Sequence, residues 1–490
     1  MKTKKSLKLN FIFNSILTAS NLIFPLITFP YISRILLPDG TGKVSFATSV
    51  IYYFNVFAQL GIPTYGIRAC ARVRDKKEEL TNTVREIMLI NICTTIISYV
   101  FFFISLYNIP QLAEEKELMI IVSLTMLFNT FGVEWLYKAL EEYAYITIRS
   151  MVFKIIAIVA MFILIHDKND YILYGAISIF AASASNLLNF INMRKFIERK
   201  KSDYRLQLKK HIKAIFIFFA MSVATTIYTH LDTVMLGFMK TDTDVGYYNA
   251  AVKIKTILIS FVTSLGTVLL PRTSYYIEHG HEEAFKNIIQ KAFSFVLILS
   301  AAVSVYFILF AKQGIYFLSG SAFNGAILPM QIIMPTVFLV GLTNIMGIQI
   351  LIPLGKEKYV LYSEIVGAAV NLIINLILIP QYASVGAAVG TLAAELAVFA
   401  VQYAALKNIM KEIYKNMYFV KIFVALVLSG ALASTIKLLD LIPFFTLLIS
   451  MILFFMIYIL TLTKAKYKLV LEMEAELIDK IKVIFKNRCR

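Results

Sequence analysis

The sequence predicts an all-α integral membrane protein with about fourteen membrane-crossing helices. Three observations carry that prediction. Of its 490 residues, 59% are hydrophobic and only 16% charged, with a mean hydropathy of +0.74. That balance excludes a soluble class. Apolar stretches of about 20 residues, the length that crosses a hydrocarbon core of about 30 Å, recur along the whole chain. The lysines and arginines are then strongly biased to one side of those stretches.

The spans are expected near 10–37, 44–64, 86–107, 118–138, 146–165, 170–192, 214–238, 247–270, 291–310, 326–353, 359–379, 384–406, 418–438 and 441–463. The opening "MKTKKSLKLN" has the charge of a signal-peptide n-region. The apolar stretch behind it runs to about Leu37 with no small-residue cleavage site, so it is read as a retained first span. Thirty-seven of the 48 lysines and arginines fall in segments on the N-terminal side, with Arg149 counted in the loop before span five. Six fall on the opposite side: Lys43, Lys116, Lys168, Lys240, Lys312 and Lys437. Five more lie within spans. One missed helix would invert every later loop, so the split supports the count and places both termini in the cytoplasm. The net charge of +18 then marks cytoplasmic loops and implies no nucleic-acid partner.

The loops on the far side are short, and no soluble domain is inserted. A basic linker, "MRKFIERKKSDYRLQLKKHIK" (193–213), divides an N-terminal six-span half (1–192) from a second (214–406). Two further spans (407–463) and a basic tail (464–490) follow. The tail carries Leu469, Met473, Leu477, Ile481 and Ile484 at helical spacing. That pattern suits an amphipathic helix on the anionic inner leaflet or packed on the protein. The junctions "SRILLPDGTGKVSFATSVIYYF" (33–54) and "DTVMLGFMKTDTDVGYYNAAVKIKTIL" (232–258) share a layout. Each has an apolar helix, a short Gly/Asp turn and a small-and-aromatic helix start, as a parallel repeat of six spans would give.

An ionisable side chain inside a span usually faces protein or water and has a partner or a function. The candidates are Arg34, Glu134, Lys154, Asp232, Lys253, Lys255, Glu364 and Glu395. At 1.5 Å per residue, Asp232 lies roughly 9 Å deep from the outer end, and Lys253 and Lys255 roughly 10 and 13 Å. The two lysines stand about 200° apart on a helix, so they serve different faces. Asp232 is a candidate partner for one of them, and Glu134 can pair with Lys154. Snorkelling to the interface is the bland alternative for the lysines and Arg34. Pro25 and Pro30 interrupt span one beside Asn14, Asn21 and Thr28, which suits a kinked, polar wall. "GAAVG" (386–390) permits close helix contact.

Cys70, Cys93 and Cys489 form no CxxC and are read as free thiols. No GxxxxGK[ST], HExxH or GxSxG occurs, so neither a built-in ATPase nor an enzyme is expected, and no cofactor or metal.

Four blocks together resemble the polysaccharide-repeat flippases: "PLITFPYISRILLPDGTGKVSFATS" (25–49), "LGIPTYGIRACARVRD" (60–75), "FGVEWLYKALEEYAY" (131–145) and "LDTVMLG…VLLPRTS" (231–274). That family shares a superfamily with the multidrug extruders and the lipid II flippase. The resemblance implies two six-helix lobes in a V around a central cavity, plus two C-terminal helices. It also implies transfer of an undecaprenyl-diphosphate-linked oligosaccharide from the inner to the outer leaflet of the bacterial plasma membrane by alternating access. On that reading Lys253, Lys255 and Arg34 bind the diphosphate through charge-assisted hydrogen bonds. Asn21, Tyr31, Tyr248 and Asn249 contact sugars. Asp232, Glu134, Lys154, Glu364 and Glu395 are charge partners or coupling groups, and Arg68 and Arg272 belong to a cytoplasmic gate. Expected partners are the lipid-linked oligosaccharide, membrane lipids and a polysaccharide polymerase or other assembly proteins, around a functional monomer. A cation-coupled multidrug extruder and a lipid II flippase are the alternatives.

Overall fold

The computed structural model describes residues 7–198, 206–415, 417–472 and 474–475. Most of the tail, with Cys489, and the middle of the basic linker lie outside the described residues. Each of the fourteen expected segments falls on helix, and no strand occurs among the described residues.

The chain forms two compact units, Met1–Asn249 and Ala250–Arg490. In the first unit, α1 (Leu7–Gln59) holds spans one and two. It breaks at Leu37, whose φ of 59° takes it out of the helix just before Pro38. Next come α2 (Ile62–Val73), α3 (Lys77–Asn108), α4 (Pro110–Ala113) and α5 (Lys116–Gly132). They are followed by α6 (Glu134–Ala139), α7 (Tyr143–Leu164), α8 (Tyr171–Ile179) and α9 (Asn186–Asn192). A π-helical turn, Phe180–Ala184, joins α8 to α9. Then come α10 (Lys209–Met239) and the start of α11 (Asp242–Glu278).

The second unit continues α11 from Ala250. It adds α12 (Glu282–Leu309), α13 (Ala311–Ser319), α14 (Ile327–Ile333) and α15 (Pro335–Asn344). The span made by α14 and α15 bends by 41° at Pro335. A 49-residue helix, α16 (Glu357–Ala405), carries two spans and reverses at Ala383. Last come α17 (Lys407–Lys415), α18 (Phe419–Ser434) and α19 (Pro443–Lys464).

The outward faces are apolar. Ile96, Phe101 and Ile104 of α3, Ile155, Val159 and Ile163 of α7, and Val420 and Phe423 of α18 are all exposed. In lipid every backbone polar group must be satisfied internally, which is why these faces are helical throughout. Inside the first unit, Ile62, Leu80, Ile87, Trp135, Tyr137 and Ile215 form one core cluster. Inside the second, the Tyr306 hydroxyl donates to the carbonyl of Leu447 at 2.8 Å, holding α12 to α19. In the α16 reversal a methyl on Gly386 would come within 2.5 Å of the Leu378 carbonyl oxygen, so the sharp turn needs glycine there.

Span seven does not pack as the sequence repeat alone suggests. The repeat assigns α10 to the second half, whereas by packing it lies in the first unit, along the second half of α1. Phe238 meets Phe46 edge-on at 5.2 Å, His230 stacks on Tyr52 at 4.4 Å, and Phe219 meets Phe57 at 5.3 Å. Numbers rise along one helix and fall along the other, so the pair is antiparallel.

Candidate functional site

The charged and polar residues fall into separate clusters, described unit by unit. On α1, Asn14, Thr18 and Asn21 are exposed. So are Ile12, Ile16, Ile23 and Ile27. At about 3.6 residues per turn the two sets occupy opposite stripes of the helix. The isoleucine stripe suits lipid. The other does not, because Asn21 lies roughly 16 Å along the span and an exposed amide at that depth needs water or a polar ligand. Beside it sits a cation: the buried Lys154 Nζ donates to Ser20 Oγ at 2.7 Å and to Asn21 Oδ1 at 2.6 Å. The expected direct pairing of Lys154 with Glu134 is therefore absent, and Glu134 lies 3.2 Å from Lys138 on its own helix instead. The neutral oxygens of α1 are nearer to Lys154 than the carboxylate one span away.

Arg34 is exposed, and its guanidinium donates to the Pro30 carbonyl, an oxygen that Arg34's own amide shares within one helical turn. Tyr31 turns away from the polar stripe, donating to the Ile165 carbonyl at 2.8 Å with its ring 4.5 Å from Phe162. Across the hairpin of α10 and α11, the Tyr248 hydroxyl donates to the buried Asp232 carboxylate, and Asn249 Nδ2 lies 3.4 Å from Thr233 Oγ1. Asp232 thus has a tyrosine as one partner. Arg68 is exposed on α2.

In the second unit, Lys253 and Lys255 are both half-buried on α11 and flank the buried Ile254, as a spacing of two on a helix requires. Arg272 is exposed near the other end of α11. Glu364 is half-buried on the first half of α16. Glu395 is buried on the second half, one turn beyond the buried Thr391. Asn371 and Asn375 are buried too, and Asn375 Nδ2 donates to Asn371 Oδ1 at 3.2 Å. This α16 hairpin holds Asn371, Asn375, Thr391 and Glu395 in the interior of the second unit.

Two interior charges escaped the sequence reading. Arg149 is buried and donates to the Ser185 carbonyl at 2.7 Å and to Asn186 Oδ1 at 3.2 Å. It caps a carbonyl just after the π-helical turn, where the regular ladder is interrupted. Counting it as a loop residue hid it; the asparagines of "SNLLNFIN" (185–192) inside an apolar span were the available signal. Glu86 is wholly buried in the third turn of α3. It accepts from Lys210 Nζ at 2.7 Å and from the Gln207 amide at 2.5 Å, and its Oε2 lies 2.9 Å from His211 Nε2. The partners are more than 120 residues away, so no local pattern reveals them.

A third cluster surrounds the two junctions that the sequence flagged as a repeat, and those junctions touch. A methyl on Gly42 would overlap the carbonyl oxygen of Asp242, and one on Gly246 would overlap that of Pro38. Lys43 Nζ lies 2.8 Å from Glu115 and 3.8 Å from Asp39. Burial and the neighbouring Asp39, Glu115 and Glu114 carboxylates push Asp242 up to about 6, with Lys43 acting the other way.

These arrangements handle charge within a lipid-facing helical scaffold, which defines a multi-pass membrane transporter of the flippase and extruder fold. The chain belongs to the polysaccharide biosynthesis protein family, whose model matches residues 7–277. The MatE model also matches, over residues 218–377. A putative O-antigen transporter of Escherichia coli (strain K12) is 25% identical over 388 residues, 78% of this chain and 91% of that protein. A probable low-salt glycan biosynthesis flippase, Agl15 of Haloferax volcanii, is 23% identical over 36% of this chain and 38% of its own. Among solved structures, the lipid II flippase MurJ in an inward closed conformation superposes with a TM-score of 0.72. That match has 17% identity and covers 94% of this chain and 100% of that one. It shows the fold.

Proposed function

We propose that this protein is a flippase. It carries an undecaprenyl-diphosphate-linked oligosaccharide from the inner to the outer leaflet of the bacterial plasma membrane by alternating access, for surface polysaccharide assembly. The observation that carries the reading is the exposed polar stripe of α1 with Lys154 bonded to Asn21 in mid-membrane, in a chain similar over most of its length to an O-antigen transporter. A lipid-linked sugar needs polar wall at that depth, because its hydroxyls and phosphates are costly to desolvate.

In this reading Lys253, Lys255 and Arg34 bind the diphosphate. Lysine acts as a point charge with little geometric selectivity, which suits a constant anchor carrying varied sugars. Asn21 and Asn249 are the sugar contacts. Tyr31 and Tyr248 serve as supports instead, since their hydroxyls are committed to Ile165 and Asp232 and Tyr248 is buried. Asp232, Glu134, Glu364 and Glu395 set local charge, and Arg68 and Arg272 serve a cytoplasmic gate. Both termini are cytoplasmic, the monomer is the working unit, and polysaccharide polymerase or other assembly proteins act next to it. The MatE match favours one alternative, a cation-coupled extruder of the same fold.

The test is a deletion strain complemented with wild type or with Lys253→Ala/Lys255→Ala. Wild type is expected to restore surface polysaccharide. The double variant is expected to insert normally yet lose at least tenfold of the polymer, with lipid-linked repeat units accumulating. Intact polysaccharide in the deletion strain, with altered drug sensitivity, would turn the assignment to the extruder.

A further inference from the structure

We propose that the 38–43 turn and the first turn of α11 form a proton-operated latch, shut when Asp242 is protonated and released when Asp242 ionises. It rests on the alternating-access reading, in which this end of the protein faces outward and must open once per cycle.

At their tips the two matching hairpins meet backbone to backbone. Gly42 lies on the Asp242 carbonyl and Gly246 on the Pro38 carbonyl, and neither position has room for a methyl group. The contact is therefore close and reciprocal. It sits at the Leu37 break of α1, where the helix already departs from regular geometry. It grips the end of α11, the helix in which the chain passes from the first unit into the second.

The charged groups that act on Asp242 are Asp39 and Lys43 from the α1 break and Glu114 and Glu115 from the α4–α5 connection, with Asp244 on its own helix. Tyr171, at the start of α8, lies under the Lys43 ammonium, 4.9 Å from it. Lys43 is the one cation among them, and it is held by Glu115 and Asp39. The Asp242 side chain has no hydrogen bond or ion pair among the described residues. Shutting the latch thus presses an unpaired carboxylate against three others. A proton taken from the outer solvent onto Asp242 removes that repulsion, and its return to the same solvent restores it.

The sign follows. In the shut latch Asp242 titrates near 6, above the 3.8 of a solvated aspartate. Its contribution to the shut state is complete below about 3.8 and is lost as pH rises through about 6.

The test uses full-length purified protein with Cys93 and Cys489 changed to serine, the buried Cys70 retained, and Val245→Cys as reporter. Val245 is fully buried in the shut latch. Maleimide labelling is measured from pH 5 to pH 8 and divided by the rate for the denatured chain at each pH, which removes the thiol's own titration. The normalised rate is expected to rise roughly tenfold, with a midpoint near pH 6. Asp242→Asn is expected to hold it low throughout, and Gly246→Ala to raise it at every pH. A flat profile overturns the latch. So does a rise that persists in Asp242→Asn, which would hand the titration to Glu114, Glu115 or Asp39. Should Asp242→Asn fail to accumulate, the profile with native Asp242 decides alone. No lipid cargo is present, so failure here leaves the flippase reading standing.

Discussion

Replacing Glu86 by glutamine tests how the segment before α10 is anchored within the first unit. The Glu86 carboxylate is wholly buried, and three groups converge on it from the segment before α10. Lys210 is 41% exposed, so its ion pair is worth no more than about 1 kcal/mol. His211 and the Gln207 amide are the costly partners. His211 is nearly buried, and its other ring nitrogen lies 2.5 Å from the Tyr65 hydroxyl. Glutamine keeps the shape but turns one acceptor oxygen into a donor, which must face either the Gln207 amide or the Lys210–His211 pair. Losing one charge-assisted bond at about 1.5–3 kcal/mol and leaving a buried donor unsatisfied puts the cost near 3 kcal/mol. That is about a hundredfold in the local docking equilibrium. Hydrogen exchange reads it directly: amides of 207–213 are expected to exchange about a hundredfold faster, while those of α12 are unchanged. An acceleration below threefold would refute the anchoring role, and a uniform acceleration would show loss of the fold instead.

Two further predictions concern packing. Arg149→Lys loses the fork that reaches the Ser185 carbonyl and Asn186 Oδ1 together, and is expected to lower thermal stability in detergent by about 1–2 kcal/mol. An unchanged melting temperature would mean that lysine satisfies both oxygens. Gly386→Ala drives a methyl towards the Leu378 backbone, which no rotamer change relieves, and should cost about 1–3 kcal/mol. Gly390→Ala meets the movable Asn375 side chain instead and should cost less, so the reverse order in melting temperature would contradict the α16 hairpin geometry.

Much of the architecture was legible in the chain because a bilayer imposes a length. About 20 apolar residues cross it, cations stay on one side, and each turn must fall between spans. Those constraints are local, so the fourteen segments fall on helix and the breaks at Leu37 and Ala383 lie within or beside the expected turns. Lys253 and Lys255 on separate faces likewise follow from helical geometry. Partners were not legible. Lys154 is bonded to Asn21, 133 residues away, and Glu86 to His211, 125 away. Asp232 receives Tyr248 across a hairpin, and Gly42 meets Asp242 between two hairpins. Each of these contacts depends on how far a helix is rotated about its own axis and which neighbour lies against that face. Hydropathy and charge counting average over that rotation. The sequence by itself determined how many helices cross the membrane and where they turn. Only the tertiary packing decided which charge meets which oxygen, because a buried charge takes the nearest donor or acceptor in space.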